Sequence, residues 1–300
     1  MELIVLGSGG FMPQPGHYMP AFLVGYEGQS YLFDCGEWTQ VRMVEAGRSA
    51  ASLSSVVISH MHGDHVLGLP GLLIRKSRES PENGSLSIAG PNALREYLSS
   101  NQSSLGYELK VNVDWTDLEA ESTLWVDQFK LTAHPLDHRT STFGFSFVLN
   151  REKRKFNPEK ARELGVPEGP LRSRLQQGET VTLDSGTVIE PEQVSKPRSP
   201  GPKFVYLTDT RPIYNLPEAF HEPDLLVHEA MFKAEHKQHA REKKHSTARE
   251  AARVASHLKA DKLLLTHISQ RYEAHEHLRD EARQVFTETF LARDGQRHEI

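Results

Sequence analysis

Cysteine is nearly absent: Cys35 stands alone in 300 residues, so no disulfide can form within the chain. That removes the secreted, disulfide-stapled class and favours a reducing compartment. A chain of this length can bury a large core without staples. Long apolar runs are also missing, and no stretch approaches the roughly 18 residues that a membrane span needs. The opening Met1-Glu2-Leu3-Ile4-Val5-Leu6-Gly7 has no basic segment ahead of an apolar one. It reads as a strand that starts at once, so a signal peptide is not expected and a cytoplasmic location is. An excess of positive charge is missing too. The formal net charge is -5, which by itself argues against a generic nucleic-acid binder. What remains, 37% hydrophobic and 25% charged residues, is the composition of a soluble globular protein.

The charge is unevenly spread. Between residues 151 and 178 lie eight basic side chains (Arg151, Lys153, Arg154, Lys155, Lys160, Arg162, Arg172, Arg174) against four acidic ones, a local excess of 8 − 4 = +4. A second basic run, residues 233–244, holds five Lys or Arg against two Glu. Local basic patches attract phosphates whatever the total charge.

Alternating or apolar runs bounded by Gly, Pro, Asp or Ser predict strands at 3–6, 21–26, 30–34, 56–59, 86–89, 110–113, 129–133 and 143–149. Helical spacing falls at 39–46, 67–76 and 92–100. Residues 151–203 break this rhythm: they are polar, rich in Pro and Gly, and read as an excursion from the core. Alternation resumes with strands at 204–208, 225–228 and 262–266 and helices at 247–258 and 275–286. Each half thus has strands flanked by helices. The natural packing is an α/β sandwich, two mixed sheets inside and helices outside.

Four metal-capable side chains lie within six positions in Ser59-His60-Met61-His62-Gly63-Asp64-His65, directly after an apolar strand-like run. In an extended segment, side chains two apart point the same way, so His60 and His62 can reach one ion. A bend at Gly63 turns Asp64 and His65 towards a second point. Imidazole nitrogen plus carboxylate suits zinc and its borderline relatives. Further candidates sit where predicted strands end: His138 after 131–137, Asp209 after 205–208, and His267 after 263–266. A carboxylate there can bridge two cations, one on each oxygen. His228-Glu229 ends another strand, and His245-Ser246-Thr247 precedes a helix. Ser246 or Thr247 can cap it, with Glu250 completing a capping box with Thr247. A His oriented by a Glu can donate a proton to a leaving oxygen.

The ordered set of motifs resembles ribonuclease Z, the tRNA 3′-processing endonucleases of the metallo-β-lactamase superfamily. It comprises Leu6-Gly7-Ser8-Gly9-Gly10, Leu32-Phe33-Asp34-Cys35-Gly36-Glu37, the loop Ser59 to His65 with Gly68-Leu69, Pro135-Leu136-Asp137-His138 and Leu207-Thr208-Asp209-Thr210. His228-Glu229-Ala230, His245-Ser246-Thr247-Ala248 and Leu265-Thr266-His267-Ile268-Ser269-Gln270-Arg271-Tyr272 complete it. The His-x-His-x-Asp-His loop alone marks only the superfamily; the His-Glu-Ala and His-Ser-Thr-Ala elements are narrower.

The resemblance implies an αββα four-layer metallo-β-lactamase sandwich over residues 1–300, with a protruding arm inserted at 151–203. Leu164-Gly165-Val166-Pro167-Glu168-Gly169-Pro170 matches the family's Gly-Pro element, which grips tRNA. It implies two Zn2+ per subunit, with Mn2+ or Co2+ as substitutes. One ion would be held by His60, His62 and His138, the other by Asp64, His65 and His267, and Asp209 would bridge them. Asp64 falls on the family's proton-acceptor position, and His245, oriented by Glu229, on the position that supports the leaving 3′-oxygen. His134 competes with His138 for the same role. Gly169, Pro170, Arg172, Arg174 and Arg271 would contact substrate. The partner expected is precursor tRNA rather than DNA or a membrane, cut 3′ of the discriminator nucleotide by a homodimer. The cut leaves a 3′-hydroxyl on the tRNA and a 5′-phosphate on the trailer. Three positions depart from the family: His17-Tyr18 replaces an Arg-Asn pair, Trp38 a Gly, and Met231 a Thr. The alternatives are a small-molecule phosphodiesterase or lactonase of the same superfamily, and a non-catalytic RNA-binding relative.

Overall fold

Alternating side chains sort the strands of this chain onto two faces, and that sorting builds the architecture. The computed structural model describes residues 1–14, 16–80, 84–150, 155–196 and 201–300. Those residues fall into two compact units, residues 1–147 with 202–300, and residues 148–201.

The larger unit carries two seven-stranded sheets among the described residues. The first half supplies β1 (Glu2–Gly7), β2 (Ala21–Tyr26), β3 (Gln29–Phe33), β4 (Leu53–Val57), β5 (Ser85–Pro91), β6 (Asn112–Leu118), β7 (Ser122–Val126), β8 (Phe129–Pro135) and β9 (Phe143–Leu149). The second half supplies β10 (Lys203–Leu207), β11 (Leu225–Glu229), β12 (Leu263–Thr266), β13 (Thr289–Leu291) and β14 (Arg297–Glu299). One sheet has the order β14-β1-β2-β3-β4-β5-β6 and the other β13-β12-β11-β10-β9-β8-β7. Pairing is parallel from β3 to β6 and from β10 to β13. Parallel neighbours need crossovers, which puts helices on the outer faces.

The period of two decides which residues face which layer. In β3, Tyr31 and Phe33 point between the sheets, while Leu32 joins the helix-side cluster with Met43, Leu69, Leu72 and Leu73. In β10, Phe204 and Tyr206 point between the sheets. Val205 and Leu207 pack against the helix Ala248–Leu258 through Ala251, Ala255 and Leu258. The inter-sheet layer is aromatic. Phe129 stacks on Phe147 at 4.2 Å, and Tyr31 on Phe129, Phe33 on Phe204 and Phe22 on Tyr206 meet at 4.8, 5.0 and 5.2 Å. The result is the expected four layers, helix-sheet-sheet-helix.

Several boundaries differ from expectation. β4 begins at Leu53 and stops at Val57, so Ser59 belongs to the loop; β6 runs Asn112–Leu118 instead of 110–113. The helix expected at 67–76 is Leu69–Glu79, preceded by a separate turn of helix, Gly63–Val66. β7, β13, β14 and the helix Lys237–Lys243 were not anticipated. Thr247, rather than Ser246, caps Ala248–Leu258 and forms the capping box with Glu250. Among the described residues, no helix is long and apolar enough to cross a membrane.

The smaller unit has its own core of Ala161, Val166, Leu175, Val181, Ile189 and Val194. Lys155–Phe156 pairs with Ser195–Lys196, and Val181–Thr182 with Val188–Ile189. Asn157 caps the helix Pro158–Glu163 through Oδ1. The Gly-Pro element has a local reason: Gly169 opens the helix Pro170–Gln176 at φ 120°, which suits glycine, and Pro170 takes the first helical position, where its missing N–H costs nothing. The basic residues Arg151, Lys153 and Arg154, and 197–200 of the expected excursion, lie outside the described residues.

Candidate metal centre

Strand ends converge at the site. The loop after β4 carries His60 and His62, the turn Gly63–Val66 carries Asp64 and His65, and residues following β8, β10 and β12 carry His138, Asp209 and His267. Asp209 and His267 adopt left-handed backbone, with φ 38° and 55°. Strain of that kind persists where the surroundings impose it, and it gathers at functional sites.

These side chains meet in three groups, the third made of Asp209, His245 and His267. His60, His62, His138 and Asp209 bring one ligand atom each within 4.8 Å of one another, and so do Asp64, His65 and His267. Asp209 divides its oxygens between the first two. Oδ2 lies 3.6 Å from both His60 Nε2 and His138 Nε2, and Oδ1 lies 3.5 Å from His65 Nε2 and 3.2 Å from His267 Nε2. Asp64 Oδ2 is 3.3 Å from His267 Nε2 and 3.6 Å from His65 Nε2.

The second ring nitrogens show which lone pairs are available. His65 Nδ1 faces Asp34 Oδ2 at 2.7 Å, and His138 Nδ1 faces the Lys244 carbonyl at 3.1 Å. Carboxylate and carbonyl only accept, so both nitrogens carry the proton. Ser59 Oγ donates to Asp34 Oδ2 at 2.8 Å and therefore accepts from His60 Nδ1 at 2.9 Å. The Nε2 lone pairs of all three rings thus aim into the cluster. His65 Nε2 and His138 Nε2 are buried without a hydrogen-bond partner. Buried polar atoms are seldom left unpaired, and neutral imidazoles whose outer nitrogens are anchored are arranged as metal ligands. The donor set therefore fits divalent cations of the zinc type.

Asp34 lies beneath this cluster. Fully buried, it accepts from Ser59 N at 2.7 Å and from the Tyr206 hydroxyl at 2.8 Å besides His65 and Ser59 Oγ. Its supporting position was missed in the sequence, although a carboxylate directly after the apolar Tyr31-Leu32-Phe33 was the available signal.

His245, in the third group, has its ring 5.0 Å from that of His138 and 5.8 Å from that of His267. Its Nδ1 meets Glu229 Oε1 at 2.8 Å. Glu229 is fully buried and is held by the N–H groups of Thr210 and Met231. Burial alone would lower the His245 pKa, but the Glu229 carboxylate outweighs it and holds the group up at about 9. His134 does not enter the cluster; it pairs with Glu121 at 2.9 Å.

The site opens into a cavity of about 630 Å³. Phe11, Pro13 and Leu67 line it together with the basic Arg139, Lys243 and Arg271. Arg271 lies over the Phe232 ring at 4.9 Å, so this sequence-predicted residue does reach the site. Gly169, Pro170, Arg172 and Arg174 belong to the smaller unit. There, Arg172 donates to the Val166 carbonyl at 3.0 and 3.2 Å and faces Glu168 at 3.3 Å, and Arg174 pairs with Glu179 at 2.7 Å. The three departures also have places. Tyr18 packs near Trp38 at 6.3 Å with Arg42 over its ring at 4.6 Å, His17 lies 5.3 Å from His275, and Met231 lines the cavity.

Two family models match the chain: one described as anti-Pycsar protein Apyc1 over residues 1–156, and the β-lactamase superfamily domain over residues 168–268. Curated relatives match from end to end. A ribonuclease Z of Haloferax volcanii is 40% identical over 100% of this chain and 95% of its own length. A ribonuclease Z of Salinibacter ruber is 39% identical over 100% and 94%. Among solved structures, human tRNase Z, short form, superposes with a TM-score of 0.71 at 26% identity, over 100% of this chain and 99% of that one. The four-layer architecture is the metallo-β-lactamase fold.

Proposed function

Because the chain belongs to the ribonuclease Z family of metal-dependent nucleases, we propose that it cleaves precursor tRNA on the 3′ side of the discriminator nucleotide, leaving a 3′-hydroxyl on the tRNA and a 5′-phosphate on the trailer. The observation that carries this reading is the His/Asp ligand set that meets on the two oxygens of Asp209, with His60, His65 and His138 anchored at their outer nitrogens, in a chain that matches ribonucleases Z over its whole length.

Two Zn2+ ions are assigned, one to His60, His62 and His138 and the other to Asp64, His65 and His267, with Asp209 between them. Bound there, the cations would lower the pKa of a water and offset charge on the phosphoryl oxygens. The chain's own residues supply the rest. Asp64, whose Oδ2 stands 3.3 Å from His267 Nε2 and 3.6 Å from His65 Nε2, is assigned as the acceptor of the proton of the attacking water. Glu229 keeps His245 protonated and oriented, so that Nε2 can donate to the departing 3′-oxygen of the discriminator nucleotide. Arg139, Lys243 and Arg271 line the cavity with positive charge for the flanking phosphates.

The segment 148–201 is assigned to the tRNA body through Gly169, Pro170, Arg172 and Arg174. Arg174, half exposed, is the freer arginine of the two, because Arg172 already serves the Val166 carbonyl. The working form is assigned as a homodimer in the cytoplasm. The assay that tests the activity incubates metal-loaded protein with precursor tRNA and, separately, with a chromogenic phosphodiester. A single cut after the discriminator supports the reading. Turnover of the small ester with intact tRNA overturns it in favour of a small-molecule phosphodiesterase. Loss of both activities in Zn2+, Mn2+ and Co2+ favours a binding relative.

A further inference from the structure

One side chain at the cavity is held in a way that folding does not explain. Phe11 is 73% exposed, the most exposed large apolar residue among those described, and its backbone is left-handed at φ 70°. A bulky residue rarely adopts that conformation, and an exposed phenyl ring gains almost nothing by being there. The backbone around it is nevertheless pinned on all sides. Gly10 lies so close to the His267 ring that a Cβ would come within 2.7 Å of Nε2. The Phe11 N–H donates to Asp64 Oδ2 at 2.8 Å, and the Met12 carbonyl accepts from Gln270 Nε2. The backbone that carries this exposed ring is thus held one hydrogen bond from the carboxylate assigned as proton acceptor.

Its surroundings offer both apolar and basic surface. Phe11, Pro13 and Leu67, the last 51% exposed, share the apolar lining of the cavity with Met231 and Phe232, and Arg139, Lys243 and Arg271 are basic lining. A single-stranded RNA end presents the matching pair of chemistries, flat bases and phosphates. We propose that Phe11 is a stacking platform for the base of the nucleotide immediately 3′ of the scissile phosphate, the first nucleotide of the trailer. That side follows from the attachment of Phe11. It is tied to Asp64, whereas His245, assigned to the leaving 3′-oxygen of the preceding nucleotide, lies 6.2 Å from the Phe232 ring, which Arg271 covers at 4.9 Å. Phe11 is a positioning residue for the substrate and takes no part in proton transfer.

The inference rests on the RNA-cleavage reading, and its test separates the two. Precursor tRNA is prepared with a normal or an abasic first trailer nucleotide and, as a control, with an abasic discriminator. The wild type should cleave the abasic-trailer substrate ~10-fold or more less efficiently, through KM. Phe11→Gly suits the left-handed backbone and should fold with an unchanged or raised melting temperature. It should lose a similar factor on the normal substrate and lose nothing further on the abasic one. Phe11→Trp should restore KM. Equal sensitivity of wild type and Phe11→Gly to the missing trailer base overturns the proposal while the nuclease reading stands. Dependence on the discriminator base alone also overturns it. Failure of the wild type to cut any precursor removes the reading beneath it.

Discussion

Acidic groups in the larger unit and basic groups in the smaller one are both paired, but on different terms. Asp34, Asp209 and Glu229 are buried, and each meets several fixed donors or ring nitrogens. Arg174 and Glu179 are each about half exposed and pair with one another alone among the contacts described. A buried group left without its partner loses its full solvation, whereas an exposed ion pair contributes about 0–1 kcal/mol. The core acids therefore cannot exchange partners, and Arg174 can trade a carboxylate for a phosphate at little cost. The first arrangement suits a reaction centre and the second a surface that grips and releases.

The sharpest way to break this contrast is Asp209→Ala. Both halves of the cluster lose their shared ligand, so turnover of tRNA and of the chromogenic ester should fall together by roughly 10³-fold or more. Metal analysis should show depleted protein. A variant retaining activity and metal would dissolve the cluster as an argument. His245→Ala should separate the two substrates. RNA cleavage should drop on the order of 10²-fold, while a nitrophenolate leaving group, needing no proton, should leave nearly unhindered. Equal loss on both substrates would deny His245 the donor role.

Asp34→Ala probes the buried side of the contrast from beneath. Four donors lose their acceptor, so stability should fall by about 3 kcal/mol in denaturant melts, and metal affinity by ~10–100-fold. Arg174→Ala probes the exposed side. Stability and ester turnover should hold, and the slope of tRNA affinity against log salt should shrink by about 1. The smallest effect belongs to Thr247→Ala, which removes a helix cap far simpler than any of these. About 1 kcal/mol of stability should go, read by thermal melting.

These residues were not equally legible in the sequence. His60, His62, Asp64 and His65 are contiguous, and His138, Asp209 and His267 each follow an apolar run, so strand ends announced them. The capping box was legible because Thr247 and Glu250 obey a three-residue spacing. Asp34 was read only as part of the Leu32–Glu37 motif, without a role, because a lone acid carries no spacing and its four donors come from β10, the loop after β4 and the turn Gly63–Val66. β7 pairs with β8 alone among the described strands, and its residues alternate between partly exposed and exposed before Val126, so it lacks the apolar signature of a central strand. β13 and β14 are three-residue edge strands, too short for a pattern. β6 was misplaced because its partial burial leaves Lys110 to Leu118 without a sharp start. The exposure and backbone of Phe11 are properties of a folded loop that no pattern encodes.

The central claim is that one buried carboxylate, Asp209, joins two cation positions. Anomalous diffraction at the zinc edge on crystals of metal-loaded protein tests it directly. Two peaks are predicted, one among His60, His62 and His138 and the other among Asp64, His65 and His267, with one Asp209 oxygen on each. A single peak at full occupancy, or an Asp209 that touches only one ion, would contradict it.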